Sequence, residues 1–232
     1  MLYMAAKEIV QRYERLKSEL KAATLSTQNR IKLAAIFSIG MHTLPDYLKQ
    51  FMGIYPKVNI HIEYFNADTI YKLILSGDFD IGLVALPKKD KRLKVYEFEN
   101  EPVVLACSPA HQLANYSKID IHRIQLEPFI AFAEGVPTRI WIDSILAGYN
   151  IAIRPVMEFD NIETIKRAVE INSGISILPV TAISQETSSG TIKAVGFSNE
   201  SFVRPTGIII RKDKTLAQPG RYLIELLRKK RH

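Results

Sequence analysis

The chain has 232 residues, of which 47% are hydrophobic and 24% charged, an ordinary composition for a globular protein with room for two modest domains. No apolar run approaches the roughly 20 residues of a membrane span, and the charged N-terminus does not resemble a secretory signal. A single cysteine, Cys107, rules out an internal disulfide and suits a reducing compartment. We therefore expect a cytoplasmic protein with no membrane partner.

The net charge of +7 is concentrated at the two ends of the chain. Residues 1–30 hold six Lys or Arg against three Asp or Glu, and residues 228–231 are all basic. The long middle of the chain is therefore neutral, although the isoelectric point is near 9.4. A broad basic surface for nucleic acid is not expected on the body of the protein.

The first 23 residues have the spacing of an amphipathic helix with a heptad seam. Such a helix is about 35 Å long and cannot bury its apolar stripe alone. Packing on the body of the protein and pairing with a second chain are both open, and the sustained period of 3.5 favours self-association through residues 2–23. The seam consists of Leu2, Ala6, Ile9, Tyr13, Leu16, Leu20 and Ala23.

From Arg30 onward, short apolar runs alternate with amphipathic stretches. This alternation predicts a mostly parallel, doubly wound α/β sheet. The predicted strands are 31–37, 58–65, 80–86, 93–98 and 103–108, and the predicted helices are 44–52 and 67–75, the second capped near Asn66 to Asp68.

The same pattern restarts 95 residues later. Strands are predicted at 129–132, 154–159 and 174–179, with helices at 138–147 and 161–171. Residues 37–83 align with residues 132–178 without a gap, and nine positions are identical. These pairs include Phe37/Phe132, Gly40/Gly135, Thr43/Thr138, Asn66/Asn161 and Leu83/Leu178. We interpret the repeat as two similar lobes.

The last predicted elements are strands at 192–197 and 207–211 and a helix at 217–229. The strand at 207–211 has no counterpart in the second repeat, so it is expected to return to the first lobe. The chain would then cross between the lobes twice, near residues 100–106 and 198–204. Paired crossings form a hinge with a cleft between the lobes.

One stretch, residues 37–43, is predicted to be a loop between a strand and a helix. Thr43 can cap that helix, and Pro45 falls in its first turn, where a missing N–H costs nothing. Free N–H groups at a helix N-terminus favour an anion or a polar ligand. The repeat supplies a second such loop at residues 132–138.

Several strings resemble the effector-binding domain of LysR-type transcriptional regulators, and the first 24 residues resemble the linker helix of that family. The most specific is the family's V-x-x-G-x-G-I-x-x-L-P pattern, which here runs from Val169 to Pro179 and keeps only its second glycine, Gly174. The other strings lie at residues 79–83, 102–106, 108–113 and 135–139.

The resemblance implies two Rossmann-like lobes of the type 2 periplasmic-binding-protein fold, joined by a two-strand hinge and preceded by a long N-terminal helix. It implies a linker and dimerisation helix at 1–25, lobe I at 30–103 plus 200–232, and lobe II at 104–199. A full-length member carries a winged helix-turn-helix before the linker helix, which this sequence does not include. Operator DNA is therefore expected to bind only through that domain, in a homodimer or tetramer.

The resemblance also implies that a small-molecule effector binds in the interlobe cleft. Hydroxyl groups and helix-terminal N–H groups favour a carboxylate or an oxyanion such as sulfate. Val136 and Pro137 remove donors from the second loop, so lobe I should supply most polar contacts, while Met41 and Val136 could instead favour a partly apolar ligand. The implied contact residues are Ser38, Met41, His42, Thr43, Ala133, Thr138, Asn161 and Ile162.

Two alternatives remain at this point. Thr43 and Thr138 could be simple helix N-caps. The chain could also be a stand-alone solute-binding protein or a small-substrate enzyme of the same fold. The five histidines lack metal-ligand spacing, and no zinc-protease, nucleophile-elbow or P-loop string occurs, so neither catalysis nor a cofactor is expected.

Overall fold

The structure is a computed structural model that describes residues 12–13 and 30–229. Arg12 and Tyr13 are helical. The remainder of the predicted linker helix at 1–25 lies outside the described residues. Self-association through residues 2–23 therefore stays a prediction.

The first half of the fold consists of β1 (Arg30–Ala35), α1 (Leu44–Ile54), β2 (Asn59–Tyr64), α2 (Ala67–Ser76), β3 (Ile81–Ala85), β4 (Leu93–Cys107), β10 (Val203–Arg211) and α6 (Gln218–Arg228). Its strands form a sheet with the order β2-β1-β3-β10-β4. The central strand β1 is parallel to β2 and β3, and β10 is antiparallel to β3 and to β4. The C-terminal strand thus returns to this half, as predicted.

The second half consists of β5 (Lys118–Ile119), β6 (Phe129–Phe132), α3 (Pro137–Gly148), β7 (Pro155–Phe159), α4 (Ile162–Glu170), β8 (Ser176–Pro179), α5 (Ser184–Ser189) and β9 (Lys193–Phe197). Its strands repeat the order of the first half as β7-β6-β8-β4, with β6 parallel to β7. Two hydrogen bonds of 2.8 Å join β6 to the start of β8, from Ile130 N–H to the Ile175 carbonyl and from Ile175 N–H to the Pro128 carbonyl. β8 and β9 are both antiparallel to β4.

The prediction of separate strands at 93–98 and 103–108 is wrong, because β4 is one strand of 15 residues. It pairs with β10 up to Pro102 and with β8 from Val103 onward. Between the two predicted strands, residues 100–102 remain in the ladder with β10. Likewise, β10 begins at Val203 and not at residue 207. Together β4 and β10 form the two-strand hinge.

The hydrophobic core is divided between the two halves of the fold in the same way. One cluster of buried side chains is drawn wholly from residues 103–202. The two others are drawn from residues 31–98 and 208–227. The lobe boundaries inferred from the resemblance remain our proposal, and this separation of the cores supports them.

Residues 37–43 are helical, so the prediction of a loop there is wrong. Gly40 N–H donates to the Ile36 carbonyl at 3.0 Å, and Leu44 N–H donates to the Ile39 carbonyl, which closes a π-helical turn. The helix therefore begins near Phe37, and α1 continues it. Thr43 lies inside this helix, and its side chain makes no capping hydrogen bond.

Candidate ligand-binding site

A cavity of about 690 Å³ lies between the two halves of the fold. The helix that begins at Phe37 and the first turns of α2, α3 and α4 all contribute to its lining. The positive ends of four helices therefore point toward one space. The lining comprises Ile36, Phe37, Ser38, Tyr64, Phe65, Asn66, Ala67, Asp68, Thr69, Lys72, Ala85, Phe132, Ala133, Glu134, Gly135, Val136, Pro137, Thr138, Asp160, Ile162 and Arg204.

At the floor of the cavity, Arg204 and Glu101 form a buried ion pair. Only 1% of Arg204 and 2% of Glu101 is exposed. They lie directly opposite each other on β10 and β4, at the point where both strands pass between the lobes. Both Arg204 Nε, at 3.1 Å, and Arg204 Nη2 donate to Glu101 Oε2. A buried ion pair requires further hydrogen bonds to offset its desolvation.

Four hydroxyl groups supply those hydrogen bonds. Arg204 donates to Ser38 Oγ and to Thr138 Oγ1, both at 3.0 Å. Glu101 Oε1 accepts from Thr43 at 2.9 Å and from Thr181 at 3.3 Å. Each member of the pair therefore binds one hydroxyl from each half of the fold. We call Arg204, Glu101 and these four residues the hub.

The structure brings together some of the predicted site residues and separates others. Ser38, Ala133, Thr138 and Ile162 line the cavity. Met41, His42, Thr43 and Asn161 are not part of the lining. Met41 is 43% exposed, and Asn161 Oδ1 caps α4 by accepting from Glu163 N–H at 2.8 Å.

The alternative that Thr43 and Thr138 are only N-caps is wrong. Val136, not Thr138, occupies the cap position of α3, and neither threonine makes a side-chain capping bond. Their hydroxyls contact Glu101 and Arg204 instead. Both threonines are buried as a consequence.

A second polar contact between the halves starts at His42. His42 Nε2 lies 2.6 Å from Glu163 Oε1, and Glu163 Oε2 lies 2.9 Å from Lys166 Nζ. Lys166 is 1% exposed and also contacts Glu186 at 2.9 Å and the Ala182 carbonyl at 3.0 Å. Burial raises the pKa of Glu163, but His42 and Lys166 outweigh that effect and the net shift is downward.

The sequence interpretation missed Glu101, Arg204, Thr181 and Lys166. Lys166 carried a readable signal, since it occupies the same helix face as the apolar Ile162 and Val169, at spacings of four and three. A lysine on a buried face requires a partner. Glu101, Arg204 and Thr181 carried no such signal, because the pairing of β4 with β10 decides the contact of the two charged residues.

Within residues 12–13 and 30–229, no cluster of three or more His, Cys, Asp or Glu side chains is arranged to hold a metal ion. Burial raises the pKa of Cys107 to about 11, so its thiol is protonated near neutral pH and unsuited to nucleophilic attack. The same described part of the chain contains no helix that is long and apolar enough to cross a bilayer.

Comparison with known proteins identifies the family. The LysR substrate binding domain model matches residues 26–231. The transcriptional regulator CysL of Bacillus subtilis strain 168 is 26% identical over 209 residues, which is 90% of this chain and 70% of CysL. The family model and CysL both belong to LysR-type transcriptional regulation, in agreement with the expectation that the chain is a regulatory domain and not an enzyme.

Two solved structures share the fold. The Synechocystis PCC6803 CcmR regulatory domain in complex with 2-PG has a TM-score of 0.77 at 23% identity and covers 86% of this chain and 95% of that one. The effector-binding domain of QuiR in complex with shikimate has a TM-score of 0.74 at 19% identity and covers 85% and 94%. Both bear out the predicted two-lobed type 2 periplasmic-binding-protein fold. The chain belongs to the family of LysR-type transcriptional regulators and carries their substrate-binding domain.

Proposed function

We propose that this chain is an effector-sensing regulatory domain that binds a small anionic or polar metabolite in the cavity between its lobes. The observation that carries the proposal is the convergence of four helix N-termini and two buried hydroxyls, one from each lobe, on a single cavity. Its volume of about 690 Å³ lies within the range of small-molecule sites. The ligands of the CcmR and QuiR structures support the same assignment.

The lining favours an anion over a cation. Helix N-termini and hydroxyl donors stabilise negative charge, and Arg204 adds a buried positive group. Asp68, Glu134 and Asp160 also line the cavity, but they are exposed at its mouth, where water and salt screen them. We propose a carboxylate or an oxyanion as the ligand class.

Effector binding would act through a shift in population between arrangements of the lobes. A ligand that contacts both lobes stabilises the arrangement in which both walls of the cavity are in place. We propose that this change reaches operator DNA through a separate DNA-binding domain and through self-association by residues 2–23, in a homodimer or tetramer located in the cytoplasm.

A thermal-shift screen tests the proposal. The full chain is heated with sulfate, phosphate, shikimate and other small carboxylates, and at 100 times its Kd a ligand stabilises the fold by about 2.7 kcal/mol. Any hit is then titrated calorimetrically into Ala133→Phe, which fills part of the cavity, and into Ala152→Phe, an exposed position outside it.

We expect Ala133→Phe to lose at least about tenfold in affinity, equivalent to about 1.4 kcal/mol. Ala152→Phe should bind like the unmodified chain. Failure of every compound to stabilise the protein would contradict the proposal. Unchanged binding to Ala133→Phe would place the ligand elsewhere and would contradict it as well.

A further inference from the structure

The four hydroxyl groups of the hub are of two kinds, which differ in the direction of their hydrogen bonds to Arg204 or Glu101. A guanidinium can only donate, and an ionised carboxylate can only accept. Ser38 and Thr138 therefore accept from Arg204, and their own O–H groups remain to donate elsewhere. Thr43 and Thr181 must use their O–H groups toward Glu101.

The two kinds lie on different sides of the hub. Ser38, Thr138 and Arg204 line the cavity, whereas Glu101, Thr43 and Thr181 do not. Neither Ser38 nor Thr138 donates its hydroxyl hydrogen to any acceptor within the described ranges 12–13 and 30–229. The floor of the cavity therefore presents two hydroxyl hydrogens and a buried cation, while the carboxylate is withdrawn behind them.

We propose that Arg204 and Glu101 are positioning residues that make this site selective for ligands bearing a hydrogen-bond-accepting anion. The inference rests on the proposed function and assigns the residues that set its ligand class. Arg204 occupies one lone pair of each of the Ser38 and Thr138 hydroxyls and leaves their O–H groups to donate to a ligand, and Glu101 holds Arg204 in place. The expected contact is one carboxylate or oxyanion bridging both hydroxyls.

The physical basis of this selectivity is the free-energy cost of a buried polar group that has no hydrogen-bond partner. An anion satisfies both O–H donors and interacts with the guanidinium at low local dielectric. A ligand group that only donates hydrogen bonds could reach the remaining lone pair of each hydroxyl oxygen, but it would leave both O–H donors unpaired, which a buried site rejects strongly. The selectivity follows from the direction in which the two hydroxyls can form hydrogen bonds and not merely from their presence.

The pair Thr138→Val and Thr206→Val provides a matched test. Each substitution removes one buried hydroxyl and keeps nearly the same shape, but Thr206 bonds only the Glu99 backbone and lies outside both the hub and the cavity lining. Calorimetry with sulfate and with shikimate should show a loss of at least about tenfold in affinity for Thr138→Val, as expected for a lost hydrogen bond to a charged group. For Thr206→Val the loss should stay below about threefold.

Arg204→Lys tests the positioning role. It preserves the charge opposite Glu101, but a single ammonium cannot hold two hydroxyls in the fork geometry of a guanidinium. The measured quantity is the ratio of affinities for shikimate and for its uncharged methyl ester. We expect Arg204→Lys to lower that ratio at least about fivefold. Arg139→Lys, outside the cavity but also paired with carboxylates, should leave the ratio unchanged.

A purely structural role for Arg204 would weaken the acid and the ester equally, and that outcome would overturn the inference. Equal losses for Thr206→Val and Thr138→Val would overturn it too. If the unmodified chain binds the ester as tightly as the acid, the selectivity claim fails while the proposed function stands. If the chain binds no compound of the screen, both fail.

Discussion

The two segments related by the repeat, residues 37–43 and 132–138, reach the same buried pair in opposite ways. Each ends in a threonine, Thr43 or Thr138, whose hydroxyl contacts the hub. Thr43 donates to Glu101, and Thr138 accepts from Arg204. A repeated residue thus acquires opposite hydrogen-bond polarity, because Thr43 meets the carboxylate of the pair and Thr138 meets its guanidinium.

The aligned glycines, Gly40 and Gly135, are also required for different structural reasons. Gly40 lies within the helical turn, and a Cβ there would overlap the ring of Tyr64, a residue of the cavity wall. Gly135 has a φ of +82° and no heavy atom within 4 Å of an added Cβ. Close packing fixes the first segment, and a left-handed turn fixes the second. Identical residues in a repeat therefore do not imply identical constraints.

The largest expected effect comes from removing the group on which both segments converge. Arg204→Met leaves Glu101 buried without its cation, and we expect a loss of about 3–5 kcal/mol in the free energy of unfolding. Urea denaturation measures it. The double variant Arg204→Met/Glu101→Leu should be more stable than the single one, since it buries no unpaired charge. A loss below about 1 kcal/mol for the single variant would contradict the role given to the pair.

Gly40→Ala should cost about 1–3 kcal/mol through overpacking. In the background of Tyr64→Ala most of this cost should disappear, because the overlapping ring is gone. Thermal or chemical denaturation of the double-mutant cycle measures the coupling. Additive losses would show that packing against Tyr64 is not the constraint.

Gly135→Ala should cost less, about 1–2 kcal/mol, through backbone strain alone. No neighbour lies close to the added methyl group, so the cost should not couple to Tyr64→Ala. Comparison of both alanine variants by the same denaturation experiment sharpens the contrast. A larger loss of stability for Gly135→Ala than for Gly40→Ala would contradict this difference between the two segments.

The smallest expected effect is the dependence of stability on pH through Glu163. Of the two aligned positions, only His42 carries a side chain that can pair with a carboxylate, here Glu163, since Pro137 occupies the other. Because folding lowers the pKa of Glu163 from 4.5, its contribution is present above that value and is lost as the pH falls through the folded value. Glu163→Gln should therefore cost about 1 kcal/mol near pH 6 and less near pH 3.

Denaturation midpoints measured across that pH range test this prediction. Glu225→Gln, an exposed carboxylate on α6, is the control and should change little at either pH. A cost of Glu163→Gln that grows toward low pH would show that the sign of the linkage is wrong.

Hydrophobic periodicity predicted the order of the elements, the repeat and the return of the last strand, because burial imposes those patterns locally. It did not predict the hub. Arg204 and Glu101 are 103 residues apart, and their contact depends on the register of β10 against β4. The loop predicted at 37–43, between the apolar run and the helix, is wrong because this segment is itself helical, and Gly40 within it packs closely against Tyr64.

The candidate site was only partly readable for the same reason. Ser38 and Thr138 were identified as ligand contacts from the repeat and the resemblance, and the structure places both at the cavity. The resemblance also implied His42 and Asn161 as contacts, yet His42 Nε2 contacts the Glu163 carboxylate and Asn161 Oδ1 accepts from the Glu163 N–H. Sequence position locates a helix terminus but does not determine which way a side chain points.

Anomalous diffraction from crystals of the full chain grown with selenate, a heavier analogue of sulfate, locates a bound anion directly. We expect an anomalous peak inside the cavity, with selenate oxygens about 3 Å from Ser38 Oγ and Thr138 Oγ1. Selenate bound elsewhere on the protein, with the cavity containing no anion, would contradict it.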